Sequence, residues 1–172
     1  MDNKKRTSGK RSRSSGALWE KVIGVSCRKY SEMGLAEIEK TPEPMRPVSK
    51  PNASGKFLAV FTKQAQPDFK GTGAGGRAIV IEAKHTDADR LYRRVVTREQ
   101  AERLDAHYRM GAACFVLVSF KLKRYFMVPW DLFRDTALHF GRQYLTPGDL
   151  EAYEVFIRDG MLRFLDNEES KG

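Results

Sequence analysis

Apolar residues recur at helical spacing between Gly16 and Gly34, at Leu18, Trp19, Val22, Ile23, Val25, Tyr30 and Met33. This period predicts a helix that Gly34 terminates. Leu35–Lys40 reads as a short strand. Pro42, Pro44, Pro47 and Pro51 follow at a density that excludes a helix or a central strand. Lys56–Lys63 reads as a strand with basic ends, so the insertion at about 42–64 is expected to be a loose hairpin. Ala78–Lys84 is β-branched or apolar apart from Glu82 and Lys84 and predicts another strand. Side chains alternate faces along a strand, so Glu82 and Lys84 share one face while Ile79, Ile81 and Ala83 share the face that can be buried.

Asp87–Val96 is polar and basic and reads as a loop or short helix. Thr97-Arg98-Glu99-Gln100 fits a capping box and opens a helix that runs to Met110 and Gly111. Ala112–Val118 is almost wholly apolar, a strand buried on both faces, and Arg124–Val128 is its expected neighbour. Pro129 starts a helix packed through Trp130, Phe133, Ala137 and Phe140 and ended by Gly141. Thr146-Pro147 predicts one more short helix, and Asp159-Gly160 a terminal hairpin. Strands and helices alternate, so the expected fold is α/β, a mixed β-sheet flanked by helices, in one domain over residues 17–172. No internal repeat is found.

Charge alters the picture at the N-terminus. Residues 1–16 hold Lys4, Lys5, Arg6, Lys10, Arg11 and Arg13 against Asp2, which is +5 of the net +9. The segment has no core-forming residues and is expected to be a disordered basic tail. The overall balance favours a polyanionic partner, nucleic acid before membrane. No apolar run reaches a membrane span, and no apolar segment follows the basic N-terminus as a secretory signal requires. Cys27 and Cys114 are the only cysteines and read as small buried hydrophobes in a reducing compartment, with the cytoplasm expected. Closely spaced zinc ligands are lacking, and His85, His107 and His139 are unpatterned.

The candidate chemistry lies between Gln66 and Thr86. Asp68 precedes a glycine-rich turn, with 13 residues between it and Glu82. A hairpin-like return would set the two carboxylates side by side. Their repulsion is relieved by a divalent cation, and hard oxygen ligands suit Mg²⁺, with Mn²⁺ as the alternative. A neighbouring ammonium such as Lys84 can orient water and offset phosphate charge, which is equipment for metal-assisted phosphodiester hydrolysis. The bland reading is a solvated strand face with an ordinary Glu–Lys pair. Gly71-x-Gly73-x-x-Gly76 matches a dinucleotide fingerprint in letters only, because a strand and not a helix follows it; it reads as a flexible turn.

Pro67-Asp68 followed by Glu82-x-Lys84 resembles the PD-(D/E)xK nuclease signature. Leu18-x-Glu20, Lys40-Thr41-Pro42-x-Pro44, Lys63-Gln64, Asp68-Phe69-x-Gly71, Glu82-Ala83-Lys84-x-Thr86 and Gln100 extend the likeness to RecU-type Holliday junction resolvases, including the shorter versions of phages and mobile elements. It spans roughly residues 16–165. The resemblance implies a restriction-endonuclease-like sheet and a homodimer that cuts four-way DNA junctions symmetrically. It implies Asp68, Glu82 and the Ala83 carbonyl as metal ligands, Lys84 as the residue that positions or activates water, Glu20 and Gln100 in support, and Thr86 at the scissile strand. For Gln100 the cap and the site are competing readings. The insertion becomes a stalk entering the junction centre, with Arg46, Lys50, Lys56 and Lys63 on phosphates. Phe57 and Phe61 pack in the stalk, stack on exposed bases or form an aromatic core strand. The basic tail lies along phosphates, and a recombinase is a candidate protein partner. The short N-terminal region and the glycine-rich turn depart from the longer relatives. The alternatives are a restriction or repair endonuclease of the same superfamily, a DNA-binding module without catalysis, and a regulator of a recombinase.

Overall fold

One sheet with two apolar faces organises the chain. The computed structural model describes residues 2–62 and 66–166, with side chains described from Ser14 onward. Helix α1 (Asp2–Glu32) leads to β1 (Ala36–Lys40), the short strands β2 (Met45–Pro47) and β3 (Ala59–Phe61), β4 (Phe69–Gly73) and β5 (Ala78–Thr86). Strand β6 (Leu91–Tyr92) and a 3-10 turn at Arg93–Val95 precede α2 (Arg98–Arg109), β7 (Ala113–Phe120) and β8 (Arg124–Pro129). Then come α3 (Trp130–Arg134), α4 (Thr136–Phe140), β9 (Tyr144–Leu145), a 3-10 helix at Pro147–Tyr153, β10 (Glu154–Val155), β11 (Ile157–Arg158) and β12 (Met161–Leu162). The main sheet has six strands in the order β1-β4-β5-β7-β8-β10. Only β5 and β7 pair in parallel. A parallel pair needs a crossover, and α2 provides it.

Helix α1 covers one face, where Trp19, Ile23, Cys27 and Tyr30 pack with Phe69, Ile81, Phe115 and Leu117. Leu104 of α2 and Trp130 and Phe133 of α3 cover the other, against Val80, Val116 and Val118. Every residue of β7 is buried, which is why that segment is apolar without alternation. Both cysteines are buried, as their type and setting predict. Among the described residues no helix is long and apolar enough to cross a membrane.

Some expectations shift. Helix α1 begins at Asp2, so the backbone of the segment expected as a disordered tail continues the helix. Propagation adds one hydrogen bond per residue once a nucleus exists, and residues 17–32 supply it. The glycine-rich segment is a strand for half its length: Gly71, Thr72 and Gly73 belong to β4, and only the following residues turn, with Gly75 and Gly76 at positive φ. A Cβ on Gly71 would lie 1.9 Å from the Glu37 carbonyl oxygen of β1, so the glycine is there for close approach and not for flexibility. The helix expected over 130–140 is split at Asp135, whose carboxylate takes the Arg134 guanidinium instead of continuing the helix.

β2 and β3 form the expected hairpin, with Arg46 opposite Val60. The Asn52 side chain accepts from the Ser54 and Lys56 N–H groups and shapes its tip. Residues 45–61 are exposed throughout and belong to neither core. Phe57 and Phe61 are 53% and 69% exposed, which removes the aromatic-core reading for both.

Two glycine substitutions test this packing. Gly71→Ala is expected to cost at least about 3 kcal/mol, because backbone and not a flexible side chain must give way. Gly24→Ala, on a helix position with open space around it, is expected to be neutral or stabilising by about 0.5–1 kcal/mol. Urea denaturation of the two variants beside the parent measures the difference.

Candidate active site

Register builds the site. Phe69 pairs with Ile81 across the antiparallel β4–β5 ladder, so one further pair sets Asp68 opposite Glu82. Directly opposed residues share a sheet face. The Asp68 carboxylate turns inward and its Oδ2 accepts the Ala83 N–H at 2.8 Å. Next along the register, Pro67 faces Ala83 and has no N–H to donate. The Ala83 carbonyl therefore receives no N–H from Pro67.

Glu82 is fully buried. Its Oε1 accepts from Lys84 Nζ at 2.6 Å and from the Gln100 amide. Its Oε2 is buried with no partner. Gln100 Oε1 also takes Lys84 Nζ at 3.3 Å. The same oxygen accepts the Thr97 N–H at 3.0 Å, and the Thr97 hydroxyl accepts the Gln100 N–H at 3.2 Å. Gln100 therefore closes the α2 capping box and contacts the Glu82–Lys84 pair with the same side chain.

Burial pushes the Glu82 carboxyl up to about 7; the Asp68 charge adds to the rise and Lys84 opposes it. Burial also raises Asp68, against the Ala83 N–H and the Lys84 charge that lower it. Two carboxyls set against each other in a low dielectric cannot both hold charge cheaply. Among the described residues no three His, Cys, Asp or Glu side chains are gathered for a metal. Asp68, the unpartnered Glu82 oxygen and the Ala83 carbonyl are hard oxygen donors, the type of ligand a divalent cation takes.

Glu20 stands apart from this group. Its Oε2 pairs with Lys40 Nζ at 2.6 Å, and its charge reaches Asp68 only through space. Thr86 lies at the end of β5, where its hydroxyl accepts the Ala88 N–H at 3.1 Å. Arg46, Lys50, Lys56, Phe57 and Phe61 lie on the exposed hairpin. Lys63 lies outside the described residues, as do the side chains of Lys4, Lys5, Arg6, Lys10, Arg11 and Arg13.

Thr41 stands beside Asp68, at the end of the neighbouring strand β1. Lys40 pairs with Phe69, and the Thr41 N–H donates to the Asp68 carbonyl at 2.8 Å, so Thr41, Asp68 and Glu82 form a row on one face across three strands. The Thr41 hydroxyl is buried without a partner, as is Glu82 Oε2, and no other side-chain N or O among the described residues is. In the sequence Thr41 stands within the Lys40-Thr41-Pro42-x-Pro44 motif, which does not say which strand lies beside it.

Residues 14–166 match the family model for RecU, recombination protein U. No match is found among curated proteins. Among solved structures the chain is similar to Hjc of Archaeoglobus fulgidus, a Holliday junction resolvase from an archaeal hyperthermophile. Identity is 14% over 81% of this chain and 89% of that one, with a TM-score of 0.50. A likeness at that identity concerns the fold, and the fold shared is the restriction-endonuclease-like mixed sheet. The family match takes in the whole Asp68–Glu82–Lys84–Gln100 constellation, and by it this chain belongs to the RecU family of Holliday junction resolvases, nucleases that act on branched DNA.

Proposed function

We propose that the chain resolves four-way DNA junctions by hydrolysing phosphodiester bonds with a divalent cation, Mg²⁺ or Mn²⁺, held by Asp68, Glu82 and the Ala83 carbonyl. The observation that carries this is the buried carboxylate pair with an unpartnered Glu82 oxygen and an ammonium 2.6 Å from the other oxygen. When bound, such a cation offsets charge on a phosphoryl oxygen and lowers the pKa of water. The Ala83 N–H fixes the rotamer of Asp68. The Gln100 amide and Lys84 hold Glu82 Oε1, which turns Oε2 toward Asp68. Lys84 Nζ has one donor to spare beyond Glu82 and Gln100, and uses it to hold the attacking water or a phosphate oxygen. Glu20 acts from a distance, neutralising Lys40 and keeping negative charge near Asp68.

The hairpin of β2 and β3 enters the open centre of the junction, and Thr86 borders the scissile strand. Two sites are needed to cut opposing strands symmetrically, and a two-fold homodimer supplies them.

The test is cleavage of a mobile four-way junction beside a linear duplex of the same arm sequence, with and without Mg²⁺. Junction-selective, metal-dependent nicking is expected. Equal cutting of both substrates would sink the resolvase reading in favour of a general endonuclease. Asp68→Asn should keep junction binding and lose about 1,000-fold in cleavage, since cation stabilisation is worth several kcal/mol at 1.36 kcal/mol per decade.

The raised Glu82 carboxyl predicts a pH dependence for the metal-free protein. The folded state holds the proton up to about 7, while an unfolded glutamate releases it from about 4.5. Stability from this group is therefore fully present below pH about 4.5 and is lost as pH rises through about 7, an amount of order 3 kcal/mol. Glu82→Gln should flatten that part of the profile, and Mg²⁺ should offset the loss near neutral pH. Chemical denaturation across pH 4–8 in EDTA and in Mg²⁺ measures both.

A further inference from the structure

Strand β6 pairs with β9 outside the main sheet, with Leu91 opposite Leu145 and Tyr92 opposite Tyr144. The two leucines are buried, and the tyrosines meet with ring centroids 5.7 Å apart. Three guanidinium groups lie on these rings. Arg94 stands 4.4 Å from the Tyr92 centroid, Arg90 4.7 Å from Tyr144 and Arg142 4.8 Å from Tyr144. Arg142 is ion-paired to Asp149 at 2.5 Å. Arg90 and Arg94 are exposed and have no carboxylate in ion-pair reach among the described residues. The nearby acids are taken: Asp87 meets His85, and Asp89 meets Lys121.

An exposed arginine normally pays rotamer entropy to hold one phosphate geometry. Here tyrosine rings hold two unneutralised guanidinium groups in place beforehand. Arg90 is ten residues from Gln100, within about 35 Å along the chain, and Arg94 is six, within about 20 Å of the residue whose amide contacts Glu82. The shorter of these reaches is about six phosphate steps along one DNA strand. The guanidinium groups occupy ring faces that a base would need for stacking, so the ligand is the phosphate backbone and not a splayed base. We propose that Arg90 and Arg94, propped on Tyr144 and Tyr92, form a second DNA-backbone site that grips a duplex arm of the junction beside the cut. It rests on the reading above only in that the substrate is branched DNA.

The test is the salt dependence of junction binding in EDTA for the full chain and for the Arg90→Ala/Arg94→Ala double variant. Two lost phosphate contacts should reduce the slope of log K against log salt by about 1.8 and weaken binding alike for junctions of different sequence. An unchanged slope and affinity in a variant with parental circular dichroism and Tm would overturn the assignment while leaving the resolvase reading intact. A parent that neither binds nor cuts the junction would overturn both.

We also infer, from the buried hydroxyl beside Asp68, that Thr41 is a positioning residue that orders water around the cation. An unpaired buried hydroxyl costs about 1–3 kcal/mol, a cost that functional sites tolerate and ordinary strand ends do not. Thr41→Val keeps the shape and removes the hydroxyl. It should raise the Tm of the metal-free protein yet weaken Mn²⁺ binding, measured by calorimetry without DNA, about 10–100-fold as for other supporting groups of metal sites. Thr41→Ser should restore the affinity. Equal Mn²⁺ affinity for Thr41→Val and the parent would overturn the assignment.

Discussion

The β4–β5 register is the constraint on which the site depends. A slip of one residue would carry Asp68 to the α1 face and separate it from Glu82. Three features fix the alignment. Phe69 is fully buried against the α1 core, Gly71 lets β1 lie directly on β4, and the Ala83 N–H is capped by Asp68 itself. The ladder loses its next donor at Pro67, where the chain stops serving the sheet and the Ala83 carbonyl becomes available.

This arrangement opposes the folded state locally. It places two carboxyls in a low-dielectric setting and leaves two buried oxygens without partners in the row from Thr41 to Glu82. The rest of the domain offsets that cost. Two apolar clusters grip the sheet from both sides, and Trp19 ties α1 to β7 through its indole N–H on the Leu117 carbonyl. Ser26 and Tyr30 reach across to the Leu162 and Leu165 N–H groups and hold the C-terminal hairpin to the same helix. The exposed β2–β3 hairpin adds to neither cluster, and its apolar side chains stay at the surface.

Polar side chains couple the start of α2 to β5. Gln100 closes the α2 cap with Thr97 and reaches Glu82 and Lys84 with the same amide. Movement at the start of α2 would therefore disturb the carboxylate–ammonium pair. The Tyr92–Tyr144 ribbon sits just upstream in the chain, which links the arginine strip to the same helix end.

The alternation in Ala78–Lys84, the capping box at Thr97 and the apolar run at Ala112–Val118 were readable because local spacing sets them: period two, a cap three residues from its partner, and burial on both sides. The order of Asp68, Glu82, Lys84 and Gln100 was likewise readable, and the fold brings these side chains together. Long-range pairing decided the rest. Gly71 looked like a turn because its reason, the Glu37 carbonyl against its α-carbon, lies on another strand. Thr41 stood only as one member of a proline-flanked motif, because its neighbour in space is 27 positions away, at Asp68. Arg90 and Arg94 read as an ordinary polar loop until β6 met β9 and put tyrosines beneath them. A chain declares its local periods, but which strands touch, and which polar atoms lose water in consequence, is settled only when the sheet closes.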